Sequence, residues 1–122
     1  MGKLLTIEDD LLLRETLTEI LEVYGHEVIQ AGDGEEGVEM FSKITPDLVL
    51  CDVNMPKMNG FEVLAKLKTL VGSSEFPPFI FLSAKTEQKN INYGLELGAS
   101  DFVSKPYSAP ELLKLIDRWL KK

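Results

Sequence analysis

The stretch Leu48-Val49-Leu50-Cys51-Asp52-Val53-Asn54-Met55-Pro56 carries the reading of the fold. Four apolar residues run directly into a carboxylate, and Asn54 and Pro56 stop the run. An unbroken apolar tetrad suits a strand buried on both faces, as in the middle of a parallel sheet. Asp52 then stands where the strand leaves the core, on the edge at which open α/β sheets bind their ligands. Taken alone, the position is ambiguous, because an aspartate after a buried strand also caps the next turn or helix. The neighbouring strands decide between the two.

Upstream, Lys3–Ile7 reads as another buried strand, and it runs into three consecutive acids, Glu8, Asp9 and Asp10. Leu13, Leu17, Ile20, Leu21 and Tyr24 then recur at helical spacing, with Gly25 as the stop. Capping and the helix dipole explain one or two acids at that helix start, but not three, because packed like charges repel. Glu27–Ala31 reads as a short strand. Asp33 and Glu36 give the next helix a capping-box-like start. Val38, Phe41 and Ile44 line its inner face, and Pro46 closes it.

Downstream, Asn59-Gly60 opens a helix with Phe61, Leu64, Leu67 and Val71 facing inward. The stretch 71–78 is rich in Gly, Ser and Pro and reads as a loop. A fourth strand over 79–82 ends at Ser83-Ala84-Lys85. A weaker helix follows over 86–97, with Ile91 and Leu95 inward, Gly94 lowering its intrinsic stability and Gly98 closing it. A fifth strand over 101–104 runs into Lys105-Pro106. Ser108 and Glu111 form a capping box for a last helix whose Leu112, Ile116, Trp119 and Leu120 face inward. Five strands alternating with five helices predict an α/β fold: a flavodoxin-like, doubly wound (βα)5 unit with a parallel sheet in the order 2-1-3-4-5.

Composition bounds the function. A length of 122 residues with 44% hydrophobic content fits one domain spanning 1–122 with a real core. The net charge of −7 argues against this domain holding a nucleic-acid backbone. No apolar run approaches the ~18–20 residues needed to span a bilayer. Acidic residues arrive too early for a signal peptide. The single cysteine, Cys51, lies inside an apolar strand and reads as a small core residue, which together suggests a cytoplasmic protein. His26, in the turn Tyr24-Gly25-His26, reads as a solvated loop residue.

In the 2-1-3-4-5 order one sheet edge gathers Glu8 and Asp9 from strand one, Asp52 from strand three, Ser83 from strand four and Lys105 from strand five. Three carboxylates and one ammonium leave about two uncompensated charges. Like charges ~4 Å apart repel by about 4 kcal/mol at an effective dielectric constant near 20. A hard divalent cation relieves that repulsion, and oxygen ligands suit Mg2+. Such a centre accepts a phosphoryl group. Lys105 and the cation neutralise its oxygens, Ser83 donates a hydrogen bond, and Asp52 is the nucleophile that becomes an acyl phosphate.

Four motifs occur in order and at the right spacing: Ile7-Glu8-Asp9-Asp10; Leu50-Cys51-Asp52-Val53-Asn54-Met55-Pro56 followed by Met58-Asn59-Gly60; Leu82-Ser83-Ala84; and Gly98-Ala99-Ser100-Asp101-Phe102-Val103-Ser104-Lys105-Pro106. Across essentially the whole chain, the sequence resembles the receiver domain of the two-component response-regulator family. The resemblance implies that Asp52 takes a phosphoryl group from a phosphohistidine on a sensor histidine kinase or phosphotransfer protein. It implies a Mg2+ site made of Asp9, Asp52 and the Asn54 backbone carbonyl, with Glu8 acting mostly through water and Asp10 as helix cap. Lys105 matches the phosphate-pairing lysine, and its bond to Pro106 is expected to be cis. Ser83 and Phe102 match the switch pair that re-shapes the face of helix four, strand five and helix five toward an effector protein or output domain. Neither nucleic acid nor membrane is expected as a direct partner, phosphorylation-dependent dimerisation is open to such a domain, and no turnover enzyme is implied. Phe102 lacks the hydroxyl that a tyrosine there would offer partners.

Three alternatives are weaker. An aspartyl-nucleophile, Mg2+-dependent phosphatase wants a second Asp two residues after the nucleophile, where this chain has Asn54. A flavin-binding relative of the fold wants a phosphate-cradling loop after strand one, where acids stand instead. A degenerate receiver that only binds partners would not need the five site residues, all of which are present.

Overall fold

The structure, a computed structural model, describes residues 2–72, 76–84 and 91–121. Ten elements alternate: β1 (Lys3–Ile7), α1 (Leu11–Val23), β2 (Glu27–Ala31), α2 (Gly34–Ile44), β3 (Leu48–Asp52), α3 (Gly60–Val71), β4 (Phe79–Ala84), α4 (Ile91–Glu96), β5 (Asp101–Lys105) and α5 (Ala109–Leu120). The five strands form one parallel sheet in the order β2-β1-β3-β4-β5, the order predicted from the alternation. Expected residues 86–90 of the fourth helix, and Lys85 before them, lie outside the described residues.

Alternation along the strands sorts side chains to two cores. Leu5, Ile7, Val49, Cys51, Phe79 and Phe81 pack with Val38 and Phe41 of α2 and with Val63, Leu64 and Leu67 of α3. Leu4, Leu48, Leu50, Ile80, Leu82 and Val103 pack on the other face with Leu17 and Leu21 of α1 and with Leu112, Leu113, Leu115 and Ile116 of α5. The central strand β3 is buried at every position, which is why it reads as an uninterrupted apolar run. Cys51 is one of its core residues.

The helix starts follow local chemistry. Asp10, Asp33, Asn59 and Ser108 each accept a hydrogen bond from a backbone N–H of the first turn. Asn59/Glu62 and Ser108/Glu111 are full capping boxes. Glu36 departs from the expected box: its carboxylate accepts from Gly32 N–H, one residue ahead of the cap.

Helix faces differ from expectation at several positions. Leu13 and Tyr24 of the first helix region are exposed, as are Val71 and Leu95. A five-residue strand spans ~16 Å, whereas α1 and α3 run ~18–20 Å, so their end turns overhang the sheet. In α3 the buried stripe is therefore Gly60, Val63, Leu64 and Leu67. In α4 Ile91 is buried as expected, and the second inward residue is Gly94 rather than Leu95, because a Cβ there would stand 2.6 Å from Phe81 Cε2 and 2.9 Å from Phe61 Cε1. His26 is buried rather than solvated. Its Nδ1 accepts from Gly2 N–H at 3.1 Å, while Glu27 N–H donates to the Gly2 carbonyl, folding the turn beneath the start of β1. Burial holds its pKa below the usual histidine value, with Asp117 pulling the other way. Among the described residues no helix is long and apolar enough to cross a membrane.

Gly60 joins fold to site. Its N–H donates to the Val53 carbonyl, and a Cβ would lie 2.5 Å from the Asp52 carbonyl oxygen and 3.0 Å from Val53 Cα. Both obstacles are backbone, so neither can rotate away. Gly60→Ala is expected to lower unfolding stability by ~2 kcal/mol in urea titrations, despite a helix-propensity gain of at most ~1 kcal/mol. Equal or higher stability would mean that α3 is not seated on the end of β3.

Candidate functional site

The expected residues meet where the strands end. β1 stops at Ile7, so Glu8 and Asp9 begin the turn into α1; β3 ends on Asp52, and β5 ends on Lys105. Because β1 and β3 are adjacent, their terminal carboxylates share one corner of the edge. Lys105 Nζ lies 3.1 Å from Glu8 Oε1 and 3.1 Å from Asp52 Oδ1. Glu8 is 2% and Asp52 6% exposed, whereas Asp9 and Asn54 face solvent.

Glu8 is held at every polar atom. Its N–H donates to the Ala31 carbonyl at 3.1 Å, and its carbonyl accepts from Arg14 Nη1 at 2.9 Å. Its Oε1 accepts from Lys105, and its Oε2 accepts from Asp10 N–H at 3.2 Å. Burial, then the negative charge of Asp52, push its pKa up to about 7, against the pull of Lys105. For Lys105 burial acts downward, but the charges of Asp52 and Glu8 outweigh it and the pKa ends above the usual lysine value. One carboxylate oxygen from each of Glu8, Asp9 and Asp52 can be chosen so that all lie within 4.8 Å of one another. Three hard oxygen donors that close, with one ammonium among them in the described residues, fit a divalent cation of the Mg2+ kind.

Ser83 is fully buried, and its Oγ donates to the Ala84 carbonyl at 3.2 Å, so in this arrangement the hydroxyl is engaged with its own strand end. Phe102 is half-buried beside the core on the α2/α3 face, and β5 pairs it with Phe81. The Lys105–Pro106 bond is cis, as expected. In the loop after β3, Lys57 adopts a φ of 69°, a left-handed conformation uncommon outside glycine, and Met58 N–H closes on the Pro56 carbonyl at 2.7 Å.

Three residues have surroundings that periodicity and spacing do not announce, and one of them, Asp101, stands at the opposite end of β5 from Lys105. Arg14 reads in the sequence only as a polar spacer on α1, yet it binds the Glu8 carbonyl. Asp101 receives Trp119 Nε1–H at 3.0 Å and so fastens β5 to α5. Tyr107 is half-buried, and burial raises its phenol pKa. The contacts of Arg14 and Asp101 span 6 and 18 residues of sequence, which periodicity does not register.

Comparison with known proteins gives one family. The model of the response regulator receiver domain matches residues 4–117. The probable transcriptional regulator ycf27 of Porphyridium aerugineum is 38% identical over 110 residues, covering 90% of this chain and 44% of that protein. The DNA-binding response regulator MtrA of Mycolicibacterium smegmatis is 35% identical over 120 residues, covering 98% of this chain and 51% of its own length. The chain thus spans about half the length of these relatives. Among solved structures, the chemotaxis protein CheY4 of Vibrio cholerae superposes with a TM-score of 0.90 at 31% identity, over 98% of each chain. The receiver domain of the Francisella response regulator 1452 superposes at 0.89 with 27% identity, over 99% of this chain and 98% of that one.

The raised Glu8 pKa has a thermodynamic consequence. The folded state holds a proton on Glu8 up to about pH 7, whereas the unfolded chain releases it near 4.5. Stability from this group is therefore full below 4.5 and falls as pH rises toward 7. Without divalent cations, wild type should lose stability relative to Glu8→Gln between pH 5 and pH 7.5, read from urea unfolding at each pH. Parallel profiles for the two proteins would rule out the raised pKa.

Proposed function

The chain belongs to the response regulator receiver domain family, and from that premise we propose that it is a phosphorelay switch that accepts a phosphoryl group on Asp52. The observation that carries this reading is the sharing of Lys105 Nζ between buried Asp52 and buried Glu8, beside the exposed carboxylate of Asp9. Residues 1–122 form one receiver domain in this reading, and the donor is a phosphohistidine on a sensor histidine kinase or phosphotransfer protein.

An Asp52 carboxylate oxygen attacks phosphorus, the phosphorus–nitrogen bond to the donor imidazole breaks, and the electron pair leaves with that imidazole. The product is an acyl phosphate on Asp52. Asp9, Asp52 and the Asn54 backbone carbonyl would hold Mg2+, with Glu8 behind them. When bound, the cation supplies positive charge against the phosphoryl oxygens. Lys105 starts as the counter-ion of Asp52. Once that carboxylate is phosphorylated, the Lys105 ammonium is free to pair with phosphoryl oxygens while keeping Glu8. The Ser83 hydroxyl exchanges the Ala84 carbonyl for a phosphoryl oxygen, and Phe102 turns inward behind it. The face of α4, β5 and α5 changes with them, shifting a pre-existing equilibrium toward the form read by an effector protein or output domain. Asp52 returns to its starting state only by losing the phosphoryl group, so the domain is a reversible acceptor rather than a turnover enzyme. A cytoplasmic location suits it, and phosphorylation-dependent dimerisation through the changed face is consistent with it.

Intact-mass measurement after incubation with Mg2+ and a small acyl phosphate should show one added phosphoryl group on wild type and none on Asp52→Asn. Equal labelling of the two would assign the acceptor elsewhere. In calorimetric titrations of the unphosphorylated protein, Asp9→Ala should weaken Mg2+ binding at least tenfold. An unchanged affinity would remove Asp9 from the metal site.

A further inference from the structure

Asp9 poses a problem of placement. It is exposed, and among the described residues no hydrogen bond to its side chain holds it. Its carboxylate nevertheless sits with those of Glu8 and Asp52. Its position must therefore come from the backbone on either side. After it, Asp10 N–H is tied to Glu8 Oε2, and the Asp10 carbonyl receives Arg14 N–H at 2.9 Å. Before it, the Glu8 carbonyl belongs to the peptide that leads into Asp9, and its partner is Arg14 Nη1 at 2.9 Å.

The guanidinium reaches that carbonyl through a gap of defined origin. A Cβ on Gly32, in the turn between β2 and α2, would stand 2.8 Å from Arg14 Nη1 and 3.6 Å from its Cζ. The same Cβ would lie 3.5 Å from Glu36 Oε1, the acceptor of the Gly32 N–H. Gly32 has no positive φ, so its lack of a side chain serves the passage of Arg14 rather than a backbone turn. From α1, where Thr18 Oγ1 also binds its carbonyl, Arg14 thus spans the turn after β1 and the turn after β2.

We propose that Arg14 is a positioning residue: by holding the Glu8 carbonyl in the slot over Gly32, it fixes the turn that presents Asp9 beside Asp52. This rests on the reading of the site as a Mg2+-assisted phosphoryl acceptor. Charge and position act with opposite signs here. A guanidinium close to metal ligands repels a cation, so as a mere charge its removal would tighten Mg2+ binding. As a positioning group its removal weakens binding, because the ligand is no longer pre-placed.

The test is Mg2+ titration calorimetry on the unphosphorylated chain for wild type, Arg14→Met, Arg14→Lys, Gly32→Ala and the double variant Gly32→Ala/Arg14→Met. Arg14→Met should weaken Mg2+ binding roughly tenfold, with Arg14→Lys recovering part of the loss. Gly32→Ala should weaken binding in the Arg14 background and have no effect in the Arg14→Met background, because the guanidinium it would displace is then gone and Glu36 Oε1 stands at ordinary contact distance. The Mg2+ concentration giving half-maximal phosphoryl uptake from a small acyl phosphate should rise in step, while the rate at saturating Mg2+ stays near that of wild type. Unchanged or tighter binding in Arg14→Met overturns the proposal, as does an equal loss from Gly32→Ala in both backgrounds. If Arg14→Met does not fold, the comparison of Gly32→Ala with wild type decides, and undiminished affinity there overturns the proposal. Failure of the underlying reading looks different: wild type itself would neither bind Mg2+ nor take up a phosphoryl group.

Discussion

One ammonium shared by two buried carboxylates is the interaction on which the functional edge of this sheet depends. Lys105 Nζ sits 3.1 Å from both Glu8 and Asp52, residues contributed by three different strand ends. Removing three charges from water is costly, and a buried pair of this kind is weak evidence of stabilisation. Its consequence is chemical. Burial of Glu8, and then the negative charge of Asp52, outweigh the pull of Lys105, so Glu8 retains its proton up to about pH 7, and the neighbouring Asp9 adds a further carboxylate to the corner. A site in that condition favours any further positive charge.

The sheet order makes the sharing possible. Glu8 and Lys105 are 97 residues apart, and they meet because parallel strands all end on one edge. Right-handed crossovers put α1 and α5 on one face and α2 and α3 on the other, and the reversal of strand order leaves the edge itself open between β1 and β3. Close packing then sets the finer distances. The first turn of α3 lies against the backbone of Asp52 and Val53 because residue 60 has no side chain. In the same way α4 rests directly on Phe81 at Gly94, and through that contact the fourth helix is joined to the strand that carries Ser83. The aromatic contacts of Phe61 with Phe81 and Tyr93 continue this path to the surface, with centroids 5.0 Å and 5.2 Å apart.

Element order, strand ends and caps were legible in the sequence because each is written in neighbouring residues. Apolar tetrads mark buried strands, and Asp10, Asp33, Asn59 and Ser108 mark helix starts. Helix faces were less legible. Periodicity places Leu13, Tyr24, Val71 and Leu95 on apolar stripes without knowing how far the sheet extends beneath them. His26 was misread for a related reason: a turn that looks exposed from its own residues is covered here by the start of β1.

The sequence by itself determined the fold class and the set of chemical groups at the strand ends, because alternation and apolar runs are local and the parallel topology follows from them. Only the tertiary structure decided how those groups are related. It gave Lys105 two partners, buried Glu8 while leaving Asp9 in solvent, turned the Ser83 hydroxyl to the Ala84 carbonyl, and passed Arg14 over Gly32 to the Glu8 carbonyl. Those relations depend on distances of a few ångströms between segments far apart in the chain. Such distances are set by packing and shared charge, which no single stretch of sequence contains.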